Sequence, residues 1–154
     1  FLLVALFMVV YYQRAGLIAN VALVLNALFL FAGLALLEAT LTLPGMAGIV
    51  LTIGMAVDAN VIINERIREE LRAGKTPRSA VEAGYGKAWT AIFDSNLTTI
   101  IAALVLYNYG TGPIRGFAVT LMLGIVSSLF TAIFVTRIIF EFFVNRRRLE
   151  RLSI

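Results

Sequence analysis

From Leu17 to Leu37 the chain carries no charged side chain, and comparable apolar runs recur at Leu43–Ile63, about Ala91–Tyr109 and Gly116–Phe140. A helix rises 1.5 Å per residue, so about 20 apolar residues cross the roughly 30 Å hydrocarbon core of a bilayer. Within that core every backbone N–H and C=O must be satisfied inside the protein, which leaves helices and closed barrels as spanning structures. Runs of this length are helical. The chain therefore reads as an all-α integral membrane protein, a polytopic bundle of five transmembrane helices whose first span, Phe1–Tyr12, is truncated. Composition agrees: 60% of the 154 residues are hydrophobic and 14% charged, against about 45–50% and about 25% in soluble domains. The chain opens inside an apolar run without an initiator Met, which predicts a piece of a longer protein. Neither the charged n-region nor the cleavage site of a signal peptide is present. Residues 1–154 are read as one transmembrane domain.

Lys and Arg collect on the cytoplasmic side of membrane proteins. Of the 13 here, only Arg115 falls on the far side of the alternating spans; Arg14, the group from Arg66 to Lys87, and Arg137 onward share the other. Loop 64–90 and tail 141–154 of this multi-pass protein are thus expected on the cytoplasmic side of its membrane. Tyr11, Tyr12, Trp89, Tyr107 and Tyr109 lie near span ends, where amphipathic rings favour the interface. Glu65–Leu71 should continue the third helix out of the membrane, with Arg66 and Glu70 in i, i+4 support. Gly74 breaks it, and Thr76-Pro77 restarts a helix as N-cap and first helical residue. There Val81, Tyr85, Ala88, Trp89 and Ile92 recur at helical spacing, predicting a short interfacial helix on the cytoplasmic surface. The basic run Asn145–Arg151 reads as a stop-transfer and orientation signal, and no nucleic-acid motif is present.

One residue breaks the pattern. Asp58 lies inside the third run, five residues before Ile63 and about 7–8 Å from that end along the helix. An Asp at a span centre costs about 2.5–3.5 kcal/mol on insertion scales, and intramembrane acids usually face a bundle interior and do work. Burial penalises its charged form, a nearby Arg or Lys would favour it, and no basic residue sits in the middle of any span. Two readings stand: a proton relay, or a neutral Asp that locks packing through a hydrogen bond. Gly45, Gly48 and Gly54 permit close helix approach near it. Asn60 and Asn64 are about 200° around the helix from Asp58 and should face another neighbour. In the fourth span Asn96, Thr98 and Thr99 stand near the cytoplasmic entrance, where they either line a polar path with Asp58 or bond back to their own helix. Asp94 reads as an interface residue. Asn20 and Asn26 read as packing residues, and Glu38 and Arg115 as outer-boundary residues.

Enzyme chemistry finds little support. The chain has no Cys and no His, so soft metal sites, imidazole acid–base chemistry and a Ser–His dyad are absent. An intramembrane aspartyl protease needs two deep carboxylates, and only Asp58 is deep. Neither a G-x-S-x-G elbow nor a phosphate loop is present. The expectation is a non-enzyme with no cofactor and no metal: a proton- or ion-coupled membrane protein, or part of one.

The residues around Asp58 carry a resemblance. "ATLTLPGMAGIVLTIGMAVDANVIINERIREEL" resembles the SecD family of bacterial protein-export proteins, within the resistance-nodulation-division superfamily. "AGYGKAWTAIFDSNLTTIIAALVLYNYGTGPIRGFAVTLMLGIVSSLFTAIFVTR" continues it, as does "YYQRAGLIANVALVLNALFLFAGLALLEATLTLPG". The resemblance implies the second to sixth of six spans, paired with SecF as a separate subunit or fused half. It implies use of the proton-motive force to draw preproteins from the SecYEG channel after SecA has pushed them in, with Asp58 in the proton pathway. It also implies a counter-ion supplied by SecF. Membrane lipids are the remaining partners. The extracytoplasmic domain that would grip a preprotein is absent from this chain, and Asn64 stands where relatives often carry an aromatic. The competing readings are another proton-coupled exporter of that superfamily, moving lipids or small molecules, and a structural module with Asp58 as a packing residue.

Overall fold

The computed structural model describes residues 2–39 and 41–147. The elements run α1 (Leu2–Leu36), α2 (Leu43–Arg72), α3 (Pro77–Tyr109), α4 (Gly112–Leu129), a π-helical segment (Phe130–Val135) and α5 (Thr136–Arg147). Four of the described helical runs are long and apolar enough to cross a membrane, the fourth being the unbroken stretch Gly112–Phe143.

The difference from five spans lies in α1. Its run is interrupted at Gln13, where φ is 48° and ψ is −114°. Asn20 Nδ2 donates to the Ala5 carbonyl at 3.0 Å, although fifteen residues of straight helix would separate them by about 22 Å. A Cβ on Gly16 would fall 1.9 Å from the Met8 carbonyl oxygen. The two arms therefore fold back on one another at Gln13, and only hydrogen at Gly16 allows that approach.

Thr42 caps α2, accepting from the Gly45 N–H at 3.1 Å, and Pro44 sits in its first turn, where the missing N–H has no helical partner to lose. With 30 residues α2 measures about 45 Å, and α3 with 33 about 50 Å. Both exceed the hydrocarbon core and continue past it at the arginine-rich end as an antiparallel hairpin. Gly74, at φ 84°, supplies the left-handed turn, and Thr76 caps α3 through the Ser79 N–H at 3.4 Å.

The interfacial helix expected over this stretch is not a separate element; it is the first half of α3. Nothing after Pro77 interrupts the helix, and its apolar face has a protein neighbour. Val81, Tyr85, Ala88 and Ile92 are buried in one cluster with Ile63 and Ile67 of α2. Gly84 makes this possible, because a Cβ there would lie 2.6 Å from the Ile67 side chain and 2.8 Å from its backbone nitrogen. Trp89 stays exposed and stacks on Phe93 at 5.8 Å. The expected Arg66–Glu70 pair is also absent. Arg66 bonds Glu69 at 2.7 Å, while Glu70 turns into the hairpin and is held by Lys75 and by Lys87 of α3, each at 2.5 Å.

The last span runs without interruption from α4 through the π segment into α5. Gly124 brings α4 onto α2: a Cβ there would lie 2.3 Å from Thr52 Cγ2. Asn26 of α1 meets Ser127 of α4, whose hydroxyl reaches the Asn26 carbonyl at 3.0 Å. The basic run expected to set orientation falls on side chains outside the described residues.

Candidate functional site

α2 is closely packed on one side and open on the other. Thr52, Ala56, Ala59, Asn60, Ile63 and Asn64 are buried, whereas Leu51, Gly54 and Asp58 are exposed at helical spacing. Gly54 had promised close packing, yet a Cβ there meets nothing within 4 Å. Asp58 therefore does not point into the interior of this chain. It opens onto a groove of about 220 Å³ between α2 and α3, bordered by Met55, Ile62, Ser95, Asn96 and Thr99 among others.

The α3 wall is polar by its register. Ser95 and Thr99 are one turn apart, and Asn96 lies beside them. Each bonds to its own helix: Ser95 Oγ to the Ile92 carbonyl at 3.0 Å, Asn96 Nδ2 to the same carbonyl at 2.7 Å, and Thr99 Oγ1 to the Ser95 carbonyl at 3.4 Å. The hydroxyl oxygens keep lone pairs that can accept from a protonated carboxyl or a water. No basic side chain borders the groove, and among the described residues Asp58 has no ion-pair partner.

The groove thus brings Asp58, Asn96 and Thr99 together. Thr98 is exposed but outside the lining. Asn60 is buried on the opposite face and donates to the Ala56 carbonyl at 2.9 Å. Asn64 is also buried, and its Nδ2 has no partner. Ser95 is a lining residue that the sequence reading passed over; its i, i+4 spacing to Thr99 was the available signal. Asp94 is exposed next to it.

Two charged clusters frame the arginine-rich end. Lys75 and then Lys87 hold the Glu70 carboxyl down at about 2, with burial opposing them. Below them Tyr12 donates to Glu65 at 2.9 Å, and Arg68 bonds the same carboxylate at 3.1 Å while lying over the Tyr11 ring. The first cluster clamps α2 to α3 and the second clamps α2 to the α1 turn. Asp58 is left as the one titratable group in the groove.

A family model described as protein export membrane protein SecD/SecF, C-terminal, matches residues 1–146. The protein translocase subunit SecD of Syntrophobacter fumaroxidans is 62% identical over 149 residues, which cover 97% of this chain and 28% of that protein. That of Rhodothermus marinus is 64% identical over 148 residues, covering 96% of this chain and 24% of its own. Among solved structures, SecDF of Thermus thermophilus, a translocon-associated membrane protein, matches with a TM-score of 0.92 at 43% identity, over 97% of this chain and 21% of that one. A SecDF structure in a super-membrane-facing form matches with a TM-score of 0.91 at 44% identity, over 95% of this chain and 20% of its own. The chain spans less than a third of the length of these relatives. With nearly its whole length matched, this all-helical, multi-pass chain belongs to the SecD/SecF family of protein export membrane proteins, in its C-terminal part.

Proposed function

We propose that this chain is the membrane portion of a SecD-type subunit that uses the proton-motive force to assist preprotein translocation across the bacterial cytoplasmic membrane, with Asp58 as the proton relay. The observation that carries the reading is the placement of Asp58. A carboxyl set within a span opens onto a groove that Ser95, Asn96 and Thr99 line on the α3 side, with no counter-ion among the described residues, in a chain of the SecD/SecF family.

The open stripe of Leu51, Gly54 and Asp58 is the face that SecF covers, and SecF supplies the missing positive charge. Protons enter from the outer side, neutralise Asp58 and leave through the groove towards the arginine-rich, cytoplasmic end. Asn96 and Thr99 border this path, and Ser95 joins them. Thr98 and Asn60 serve interhelical contacts. Each charge carried through the full potential yields about 2.3 kcal/mol per 100 mV, enough to bias a bundle whose two states differ by a few kcal/mol. The clamp at Glu70 lets α2 and α3 move as a unit, the clamp at Glu65 carries the α1 turn with them, and that motion passes to the extracytoplasmic part of the full-length protein. There the preprotein is drawn from SecYEG after SecA has delivered it.

The test is proton-driven preprotein export by a full-length protein carrying Asp58→Asn, with membrane level and SecF association followed in parallel. Asn keeps the size and polarity but cannot exchange a proton. Export stimulation is expected to disappear with assembly intact. Normal export would return Asp58 to the role of a packing residue.

A further inference from the structure

We infer that the π-helical segment Phe130–Val135 is a register joint in the last span, latched by the hydrogen bond between Tyr85 of α3 and Thr136 of α5. A π turn closes i→i+5 hydrogen bonds and is found mostly as single-turn bulges, often at functional sites. Here the Thr136 N–H reaches the Thr131 carbonyl, five residues back. Side chains support the turn. The Thr131 hydroxyl bonds the Ser127 and Ser128 carbonyls at 3.0 and 3.3 Å, and the Thr136 hydroxyl donates to the Ala132 carbonyl.

With the Thr136 proton engaged at Ala132, Tyr85 is the donor in the buried Tyr85–Thr136 contact. One turn further on, Phe140 meets the Tyr85 ring edge-on at 6.2 Å. Thr136 and Phe140 therefore present one face of α5 to α3. A π turn holds one residue more than the α turn it replaces. Its conversion to α geometry would advance everything after it by about 100° and about 1.5 Å. Val135 and Ile139 would then take the places of Thr136 and Phe140, and the buried Tyr85 hydroxyl would lose its acceptor. The latch thus distinguishes the two registers. It sits on α3, the helix that also forms the polar wall facing Asp58. The inference rests on the proton-driven reading above: movement of α3 as Asp58 changes charge releases the latch, and α5 turns.

The test uses a full-length protein carrying this segment, with its partner subunit, in inverted membrane vesicles. Deleting Phe134, whose side chain is exposed, removes the extra residue while leaving Thr136 opposite Tyr85. The expected result is normal membrane level and partner association with proton-driven export reduced at least tenfold. An assembled deletion variant that exports like the parent overturns the joint. A second measurement decides the matter if the deletion does not assemble. This segment has no cysteine, so Ile139→Cys and Phe140→Cys each place a single thiol in it. On energising the vesicles, labelling at position 139 should fall and at position 140 rise, each at least threefold. Unchanged labelling at both positions overturns the joint. Normal export by Asp58→Asn would instead overturn the proton-driven reading, so the two failures are distinct.

Discussion

Gly54 and Asp58 stand one turn apart on the exposed face of α2, and neither is covered by another part of the described chain. Glycine here is not a contact with its own bundle; it is space left on the face that carries the carboxyl. Gly54→Leu should therefore leave this chain's insertion and folding unchanged. Against a closely packed partner the added side chain costs about 1–3 kcal/mol, and co-purification of the partner subunit should fall about fivefold or more. Unchanged association would mean that the face looks onto lipid.

Gly124 is the opposite case. Its hydrogen faces Thr52, whose Cγ2 and Cβ lie 2.3 and 2.5 Å from where a Cβ would be placed. Since Thr52 Cβ is fixed to its backbone, α4 must move away from α2. Gly124→Ala should cost about 1–3 kcal/mol, read as a lower melting temperature of the detergent-solubilised protein, whereas Gly54→Ala should be neutral or slightly stabilising because Ala favours the helix by about 0.5–1 kcal/mol.

Glu70 predicts a pH dependence. Lys75 and Lys87 lower its carboxyl from an ordinary value of 4.5 to about 2. A group depressed on folding contributes stability that is fully present above its unfolded value and is lost as pH falls through its folded value. The hairpin clamp should therefore hold at neutral pH and weaken from about pH 4.5 down to about pH 2. Glu70→Gln should lower the melting temperature at pH 7 and flatten its fall across that window. Parallel melting curves for the two proteins would contradict the clamp.

Ser127 ties α4 to α1 through the carbonyl and side-chain oxygen of Asn26. Ser127→Ala leaves a buried amide with one partner fewer. The cost should be about 1–3 kcal/mol, the penalty for an unsatisfied buried polar group, measured by the same thermal melts.

The spans could be read from sequence because lipid imposes a simple rule: apolar runs long enough to cross, with charge only at their ends. The placement of Asn60 away from Asp58 followed from 3.6 residues per turn. Other features depended on neighbours that one helix does not reveal. The reversal at Gln13 carries no glycine at the strained residue itself, and its enabling glycine is three positions later. The period of Val81, Tyr85 and Ala88 is the same whether the apolar face meets lipid or Ile67, so continuity of α3 was hidden. Gly54 and Gly124 look alike as letters, and only the neighbouring helix separates an open face from a contact. The π turn at Phe130–Val135 left no mark in the hydrophobic pattern. Asp58 stood out in the sequence for its cost in an apolar run, while Ser95 across the groove looked like an ordinary helix serine.

The most direct test of the account is proton flux itself. The full-length protein and its partner would be reconstituted in liposomes, with a pH-sensitive dye inside and an imposed potential, and compared with Asp58→Asn and Asp58→Glu. The account predicts potential-driven proton entry in the parent, none above background with Asn, and measurable flux with Glu, which restores an exchangeable proton. Equal flux in the parent and in Asp58→Asn would contradict it.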